Sequence, residues 1–187
     1  DKNSQIVKVT FIEKIMAVVL AKMSNFIPES GIWMNTQRPE WNDANNALVG
    51  NGTSMVTLYY LRRFLCFFRE VFCSVQTANT LLSVELANCF IQMSNALEQH
   101  VHLLEGKIDD ADRKLILDAL AQPASKYRKK VYEQSFSGEK MEIPFSSLKR
   151  FIDLSILYLE HSIRANRRED SLYHAYNLMT LKNKEEN

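Results

Sequence analysis

The sequence predicts an all-α protein. Apolar residues recur three and four positions apart in several long runs, polar or Gly- and Pro-containing segments separate those runs, and no convincing ladder of strands is visible. At 187 residues, with 46% hydrophobic and 24% charged residues, the chain has the size and composition of one globular domain. We therefore expect a single helical domain over residues 1–187.

The first two predicted helices flank a long polar loop. Apolar periodicity predicts a helix over about residues 5–24, which Pro28 and Gly31 bring to an end. The apolar pattern of residues 54–75 predicts the second helix. The hydroxyl and amide groups of residues 51–54 can cap its first turn. This second helix is apolar on nearly all sides apart from its arginines, so we expect it to be an inner, mostly buried helix.

Four further helices are predicted downstream. The breaks between them are Gly106, Pro123 and a turn over residues 138–144 that has room for a brief extended segment. The four helices cover about residues 78–105, 110–121, 125–134 and 147–166. Successive helical hairpins of this kind build bundles, solenoids or toroidal barrels, and periodicity alone does not choose among the three.

Charge and hydropathy disfavour two classes of partner. Lys and Arg number 23 against 22 Asp and Glu, so the chain lacks the positive field of a protein that binds nucleic acid through its phosphates. Charged residues interrupt the most lipid-like stretch, residues 55–75, at Arg62, Arg63, Arg69 and Glu70, so we expect no membrane span. The three cysteines, which lie in apolar helical runs, are expected to be reduced core residues.

The loop over residues 31–52 differs in composition from the rest of the chain. It contains both tryptophans, three of the five glycines and five asparagines. Trp33 and Trp41 supply flat apolar faces, while hydrogen-bonding groups with little net charge are supplied by Asn35, Gln37, Arg38, Asn42, Asn45 and Asn46. This combination suits a carbohydrate ligand, although a structured loop whose tryptophans plug the core is the alternative.

Two carboxylates, Glu40 and Asp43, lie beside Trp41 in this loop. An apolar neighbour disfavours the ionised form of a carboxyl group. A carboxyl group that keeps its proton is what general acid catalysis at a glycosidic oxygen requires. The composition of the loop is therefore compatible with glycoside chemistry as well as with sugar binding.

The segments RPEWNDANNAL at residues 38–48 and LYHAYNL at residues 172–178 resemble bacterial carbohydrate-active enzymes of the (α/α)6-barrel type, namely glycoside hydrolases related to the cellobiose and chitobiose phosphorylase group. In that group a Trp-Asn-Asp motif carries the catalytic acid. The match to residues 41–43 implies that Asp43 is the proton donor. The flanking residues differ from the glycine-rich context of the phosphorylases, so hydrolysis and phosphorolysis both stay open.

The resemblance also implies an architecture and a site. The chain would form about half of an (α/α)6 toroid and be a fragment of a larger catalytic domain, paired with another copy or with the rest of the same enzyme. An oligosaccharide or glycoside would be the substrate, in a bacterial cytoplasm or periplasm, with no cofactor. Glu40 and Asp170 are the candidates for a second catalytic carboxylate. Substrate contacts are expected from Trp33, Arg38, Trp41, Asn42, Asn45, Asn46, His174 and Tyr176.

Two further expectations concern metal binding and the competing class of function. No metal is expected, because His100 and His102 are two residues apart on a predicted helix and point to nearly opposite sides. A non-catalytic helical module, used for interaction or for sugar binding, is the competing function class.

Overall fold

The computed structural model describes residues 6–35, 43–75 and 77–180, and the protein is mixed α/β. Within these residues, six α-helices accompany a four-stranded and a two-stranded antiparallel sheet. The prediction of an all-α chain forming half of an (α/α)6 toroid from helical hairpins is therefore wrong. The strands are two to five residues long, so apolar and polar residues alternate over too few positions to be recognised as strands.

The elements follow one another along the chain with short connections. The helices are α1 Phe11–Met23, α2 Asp43–Leu48, α3 Met55–Cys73, α4 Val84–Gln99, α5 Asp110–Gln134 and α6 Phe145–Ala165, with a 3₁₀ helix at Val101–Glu105. The strands are β1 Phe26–Ile27, β2 Gly31–Trp33, β3 Gly52–Ser54, β4 Asn79–Ser83, β5 Lys140–Pro144 and β6 Tyr176–Leu178. The core lies where α3 packs against α6 and α4 packs against α5.

Helix α3 begins where its sequence predicts. The hydroxyl oxygen of Ser54 accepts a hydrogen bond from the Thr57 amide at 3.0 Å, which is an N-cap contact. The prediction that α3 is buried on most sides is wrong, because Tyr60 and Phe67 on one face are 66% and 58% exposed. The helix instead buries a single face against the core.

Helix α5 continues through Pro123, where the sequence predicts a break. Proline cannot donate a backbone hydrogen bond and normally interrupts a helix interior. Pro123 and the following Ala124 are both buried, and Ala124 belongs to the main hydrophobic core. Burial against the core thus offsets the local cost of the proline. The start of α5 agrees with its sequence, since Asp109 caps the helix by accepting from the Asp112 amide at 2.8 Å.

The smaller sheet replaces the first turns of a predicted helix. Residues 79–83 form β4, which pairs with β5, so the helix predicted to begin near residue 78 begins only at Val84. The buried carboxylate of Glu13 accepts hydrogen bonds from the Ser83 amide and from Lys140 Nζ, both at 3.0 Å. One carboxylate of α1 therefore anchors an end of each strand in this sheet.

Candidate functional site

Strands β2 and β3 close the base of the loop that the sequence singles out. The Met34 amide donates to the Gly52 carbonyl at 3.0 Å, and the Gly50 amide donates to the Met34 carbonyl at 2.6 Å. The indole Nε1 of Trp33, predicted to stack on sugar, donates to the Gly50 carbonyl at 3.1 Å. Trp33 is half-buried. Its indole N–H is thus bound within the loop itself, and its predicted stacking on a sugar stays a prediction.

Gly52 serves the packing of the sheet. A Cβ atom added at this residue would lie 2.8 Å from the Cβ of Leu48 and 3.2 Å from the carbonyl oxygen of Asn177. Only glycine therefore lets the end of α2 and strand β6 approach β3 this closely. Protein atoms therefore fill the space beside this glycine.

The second polar-aromatic segment joins the same sheet. Strand β3 pairs with β2 on one side and with β6 on the other, so Thr53 pairs with both Trp33 and Asn177, and Ser54 pairs with Tyr176. Paired residues share a sheet face, and consecutive residues of a strand point to opposite faces. Trp33 and Tyr176 therefore lie in neighbouring parts of the fold but on opposite faces of the sheet.

His174 and Ala175 connect this segment to the start of α3. The His174 carbonyl accepts from the Tyr59 hydroxyl at 2.9 Å, and the Ala175 carbonyl accepts from the Met55 and Val56 amides at 2.9 and 3.2 Å. The imidazole of His174 is exposed and forms no hydrogen bond with the described part of the chain. Its predicted contact with substrate stays a prediction.

The remaining predicted site residues belong to the loop between β2 and β3. Asp43 is the first residue of α2, which also contains Asn45 and the exposed Asn46. The side chains of Asp43 and Asn45 are outside the part of the structure that is described. Four predicted site residues lie entirely outside the described residues, namely Arg38, Glu40, Trp41 and Asn42.

A buried polar network lies on the face of the sheet that carries Thr53 and Asn177. The Asn177 side-chain amide donates to the Ser30 carbonyl and to Oδ1 of Asn166, both at 2.7 Å. The Asn166 amide in turn donates to the Glu29 carbonyl at 2.9 Å, and the Thr53 hydroxyl donates to the Ser30 carbonyl at 2.6 Å. These contacts tie β6, the end of α6 and the β1–β2 turn together.

Glu29, in the β1–β2 turn, has a left-handed backbone conformation (φ 57°) and a carboxylate that is only 8% exposed. The carboxylate is bound by the Arg113 guanidinium, lies 3.2 Å from His161 Nε2, and accepts from the Ile108 amide at 3.2 Å. Burial alone would raise the pKa of Glu29. The hydrogen bonds from Arg113, Ile108 and His161 outweigh burial and hold the pKa below its ordinary value of 4.5.

A groove of about 430 Å³ lies between α3, α6 and the segment that leads into β6. The rings of Tyr59 and Tyr173 meet edge to face, with centroids 6.2 Å apart, and Arg62 Nε donates to Glu160 Oε1 at 3.0 Å. Burial and the neighbouring Tyr173 raise the pKa of Tyr59, so its hydroxyl stays neutral. The groove is lined by Tyr59, Arg62, Glu160, Ile163, Arg164 and Tyr173.

This groove was not singled out from the sequence. Arg62 interrupts the apolar run of residues 55–75, and its partner in the structure is Glu160. Tyr59 and Glu160 were not among the predicted site residues. The available signal was the spacing of Tyr59 and Arg62, which places both side chains on one face of α3.

Over residues 6–35, 43–75 and 77–180, the structure contains no group of three or more His, Cys, Asp or Glu side chains that could hold a metal ion. In the same ranges, no helix is both long enough and apolar enough to cross a bilayer. Comparison with known proteins finds no matching family, and no curated protein matches the chain. The candidate site is therefore defined by the geometry of the chain's own residues, in the loop above β2 and β3 and in the groove between α3 and α6.

Proposed function

We propose that the chain is part of a carbohydrate-active enzyme that cleaves glycosidic bonds, with Asp43 as the general acid. The observation that supports sugar binding best is the groove between α3 and α6, where two tyrosine rings lie beside an arginine and a glutamate. The role of Asp43 rests on the sequence resemblance alone. A sugar presents apolar C–H faces together with a rim of hydroxyls. The C–H faces suit the tyrosine rings, and the hydroxyls suit the charged side chains.

The size and exposure of the groove fit such a ligand. Its volume of about 430 Å³ falls within the range of small-molecule sites. Tyr173 is 46% exposed, so part of its ring surface is accessible to a ligand. Arg62 and Glu160 hold each other in place, which reduces the side-chain entropy lost when a hydroxyl binds to either of them.

The proposed chemistry divides between two carboxyl groups. Asp43 would protonate the leaving glycosidic oxygen, and an inverting hydrolase needs a second carboxylate roughly 6.5–9.5 Å away to activate water. Asp170 already accepts from the Leu172 amide at 3.1 Å and pairs with Arg168 at 2.8 Å. Because Asp170 is already engaged by these two contacts in an exposed turn, Glu40 is the preferred candidate for the second carboxylate. A phosphorylase would use bound phosphate in place of the activated water.

The test is turnover of an oligosaccharide panel, with and without phosphate, by the complete natural polypeptide that contains these residues. We expect Asp43→Asn to reduce turnover by about 10²–10⁴-fold while sugar binding is retained, because only proton transfer is removed. Asp118→Asn is the control, since that carboxylate forms a surface pair with Lys114 on α5. Full activity in the Asp43→Asn variant would refute the assignment.

The second candidate is a non-catalytic module, used for interaction or for sugar binding. The observation that favours it is the exposed apolar face of α3, where Phe67 is 58% exposed and Phe64 and Val71 are each 37% exposed. Large exposed apolar patches are typical of interaction surfaces. Sugar binding without cleavage of any member of the panel, in either condition, would favour this candidate over the enzyme.

A further inference from the structure

We propose that a second cavity, between the β1–β2 turn, the start of α5 and the end of α6, binds the phosphate group of a small phosphorylated molecule. The cavity has a volume of about 460 Å³. Its lining comes from segments far apart in the chain, namely Glu29, Gly106, Lys107, Arg113, His161, Arg164 and Ala165. This site does not depend on glycosidic cleavage, because it is argued from charge and geometry alone.

The surroundings of the cavity are positive. Lys107, Arg113 and Arg164 supply three cations against Glu29, which lines the cavity, and Asp110, which pairs with Arg113, so one net positive charge is left before His161 is counted. A phosphate monoester carries about −1.5 to −2 charges at pH 7 and offers three acceptor oxygens. A carboxylate carries only one negative charge. Lys107 and Arg164 carry two positive charges that no described carboxylate pairs with, and these two charges match a phosphate better than a carboxylate.

The floor of the cavity is fixed by internal contacts. Arg113 is held by Glu29 and by Asp110, whose Oδ1 lies 2.9 Å from Arg113 Nη1, and the side chains of Arg113 and His161 are only 23% and 11% exposed. The Nε of Arg113 is buried and has no acceptor among the described residues. A rigid guanidinium that is already oriented loses little entropy when it binds a phosphate oxygen.

The two cations at the rim are available to a ligand. The side chains of Lys107 and Arg164 are exposed, and neither forms an ion pair or hydrogen bond within the part of the chain that the structure describes. A lysine and an arginine that are not already neutralised keep their full attraction for an anion. These two residues are therefore the ones expected to discriminate a charged ligand from a neutral one.

The size of the cavity indicates more than a bare phosphate ion. A volume of about 460 Å³ is in the range of sites for small organic molecules. Arg164 also lines the groove that contains Tyr59 and Tyr173, so the two cavities adjoin at this side chain. A phosphorylated molecule whose phosphate lies near Lys107 thus has an adjoining groove for its organic part.

The experiment is isothermal titration calorimetry on the complete natural polypeptide with three probes that differ in their anionic group: glucose 6-phosphate, glucuronate and glucose. We expect glucose 6-phosphate to bind more tightly than either other probe, with an affinity that falls as salt is added. Lys107→Gln and Arg164→Gln should each raise the Kd for glucose 6-phosphate about tenfold, because each removes one charge-assisted hydrogen bond. The affinity for glucose should stay unchanged in the Lys107→Gln variant.

Matched controls are Lys126→Gln and Arg63→Gln, which remove an exposed lysine and an exposed arginine that do not line the cavity. Their Kd values should equal that of the wild type. The proposal is overturned if glucose 6-phosphate binds no more tightly than glucose, if glucuronate binds as tightly as the phosphate, or if the rim variants behave like their controls. Binding is measured without turnover, so this result is separate from the test of Asp43.

Discussion

The side-chain amide of Asn177 donates to Oδ1 of Asn166 at 2.7 Å, which joins strand β6 to the end of helix α6. The same amide donates to the carbonyl of Ser30 at 2.7 Å. Asparagine is suited to this position because its amide nitrogen carries two N–H groups, one for each acceptor. This amide thus adds two side-chain hydrogen bonds to the backbone pairing that holds β6 against β3.

The first prediction concerns this amide. Asn177→Asp removes both donors and places carboxylate oxygens against the two acceptors, so we expect the free energy of unfolding to fall by about 2–3 kcal/mol. Urea unfolding followed by circular dichroism measures the change. Asn88→Asp, at an exposed position of α4, is the matched control and should change stability by less than about 0.5 kcal/mol. An equal decrease in the free energy of unfolding in the two variants would show that the hydrogen bonds of Asn177 contribute nothing to stability.

The second prediction concerns the pH dependence of stability. The folded state holds the pKa of Glu29 below 4.5, so its contribution to stability is fully present above pH 4.5 and is lost as the pH falls through the lowered folded-state pKa. Glu85 acts in the same direction: burial would raise its pKa, but hydrogen bonds from Ser137 outweigh burial and lower it. We therefore expect the urea midpoint to decrease steadily below pH 4.5.

The variant Glu29→Gln tests how much of that pH dependence comes from Glu29. Glu29→Gln removes the buried counter-charge of Arg113, which keeps its contact with Asp110, so we expect a loss of about 1–3 kcal/mol at neutral pH and a smaller further loss on acidification than in the wild type. The control is Glu133→Gln, at an exposed position near the end of α5. A variant as sensitive to acid as the wild type would contradict the role given to Glu29.

The third prediction concerns the order in which the thiols react. All three cysteines were expected in the core, yet only Cys89 is buried, while Cys66 is intermediate and Cys73 is exposed. Burial raises the pKa of Cys89 from 9.0 to about 11, so little thiolate forms at pH 8. With iodoacetamide and mass spectrometry, we expect Cys73 to be modified first and Cys89 only after unfolding in urea. Early modification of Cys89 in the native protein would contradict this burial.

Helical periodicity that continues over about 20 residues was sufficient to locate α3 and α6. Residues 54–75 and 147–166 were predicted as helices, and the structure has α3 at Met55–Cys73 and α6 at Phe145–Ala165. Each helix is long enough for apolar residues to recur on one face over several turns. Ser54 also caps α3, as its hydroxyl and its position suggest.

The strands could not be predicted in this way, because β3, β4, β5 and β6 form through pairing with distant residues and β1 and β2 are only two and three residues long. Leu81 and Leu82 fit a helical period, but Leu82 pairs with Met141 in β5, and this tertiary pairing overrides the local pattern. The groove was missed for the same reason. Tyr59 and Glu160 lie on different helices, and only the packing of α3 against α6 brings them together.

The order of strands in the larger sheet has a consequence for synthesis of the chain. Strand β3 ends at residue 54, but its neighbour β6 comprises residues 176–178, so this edge of β3 lacks its partner until roughly 120 further residues have been synthesised. The Ala175 carbonyl, which accepts from the Met55 and Val56 amides, is made equally late. During that interval the nascent chain carries an open strand edge, which is a site for pairing with other chains.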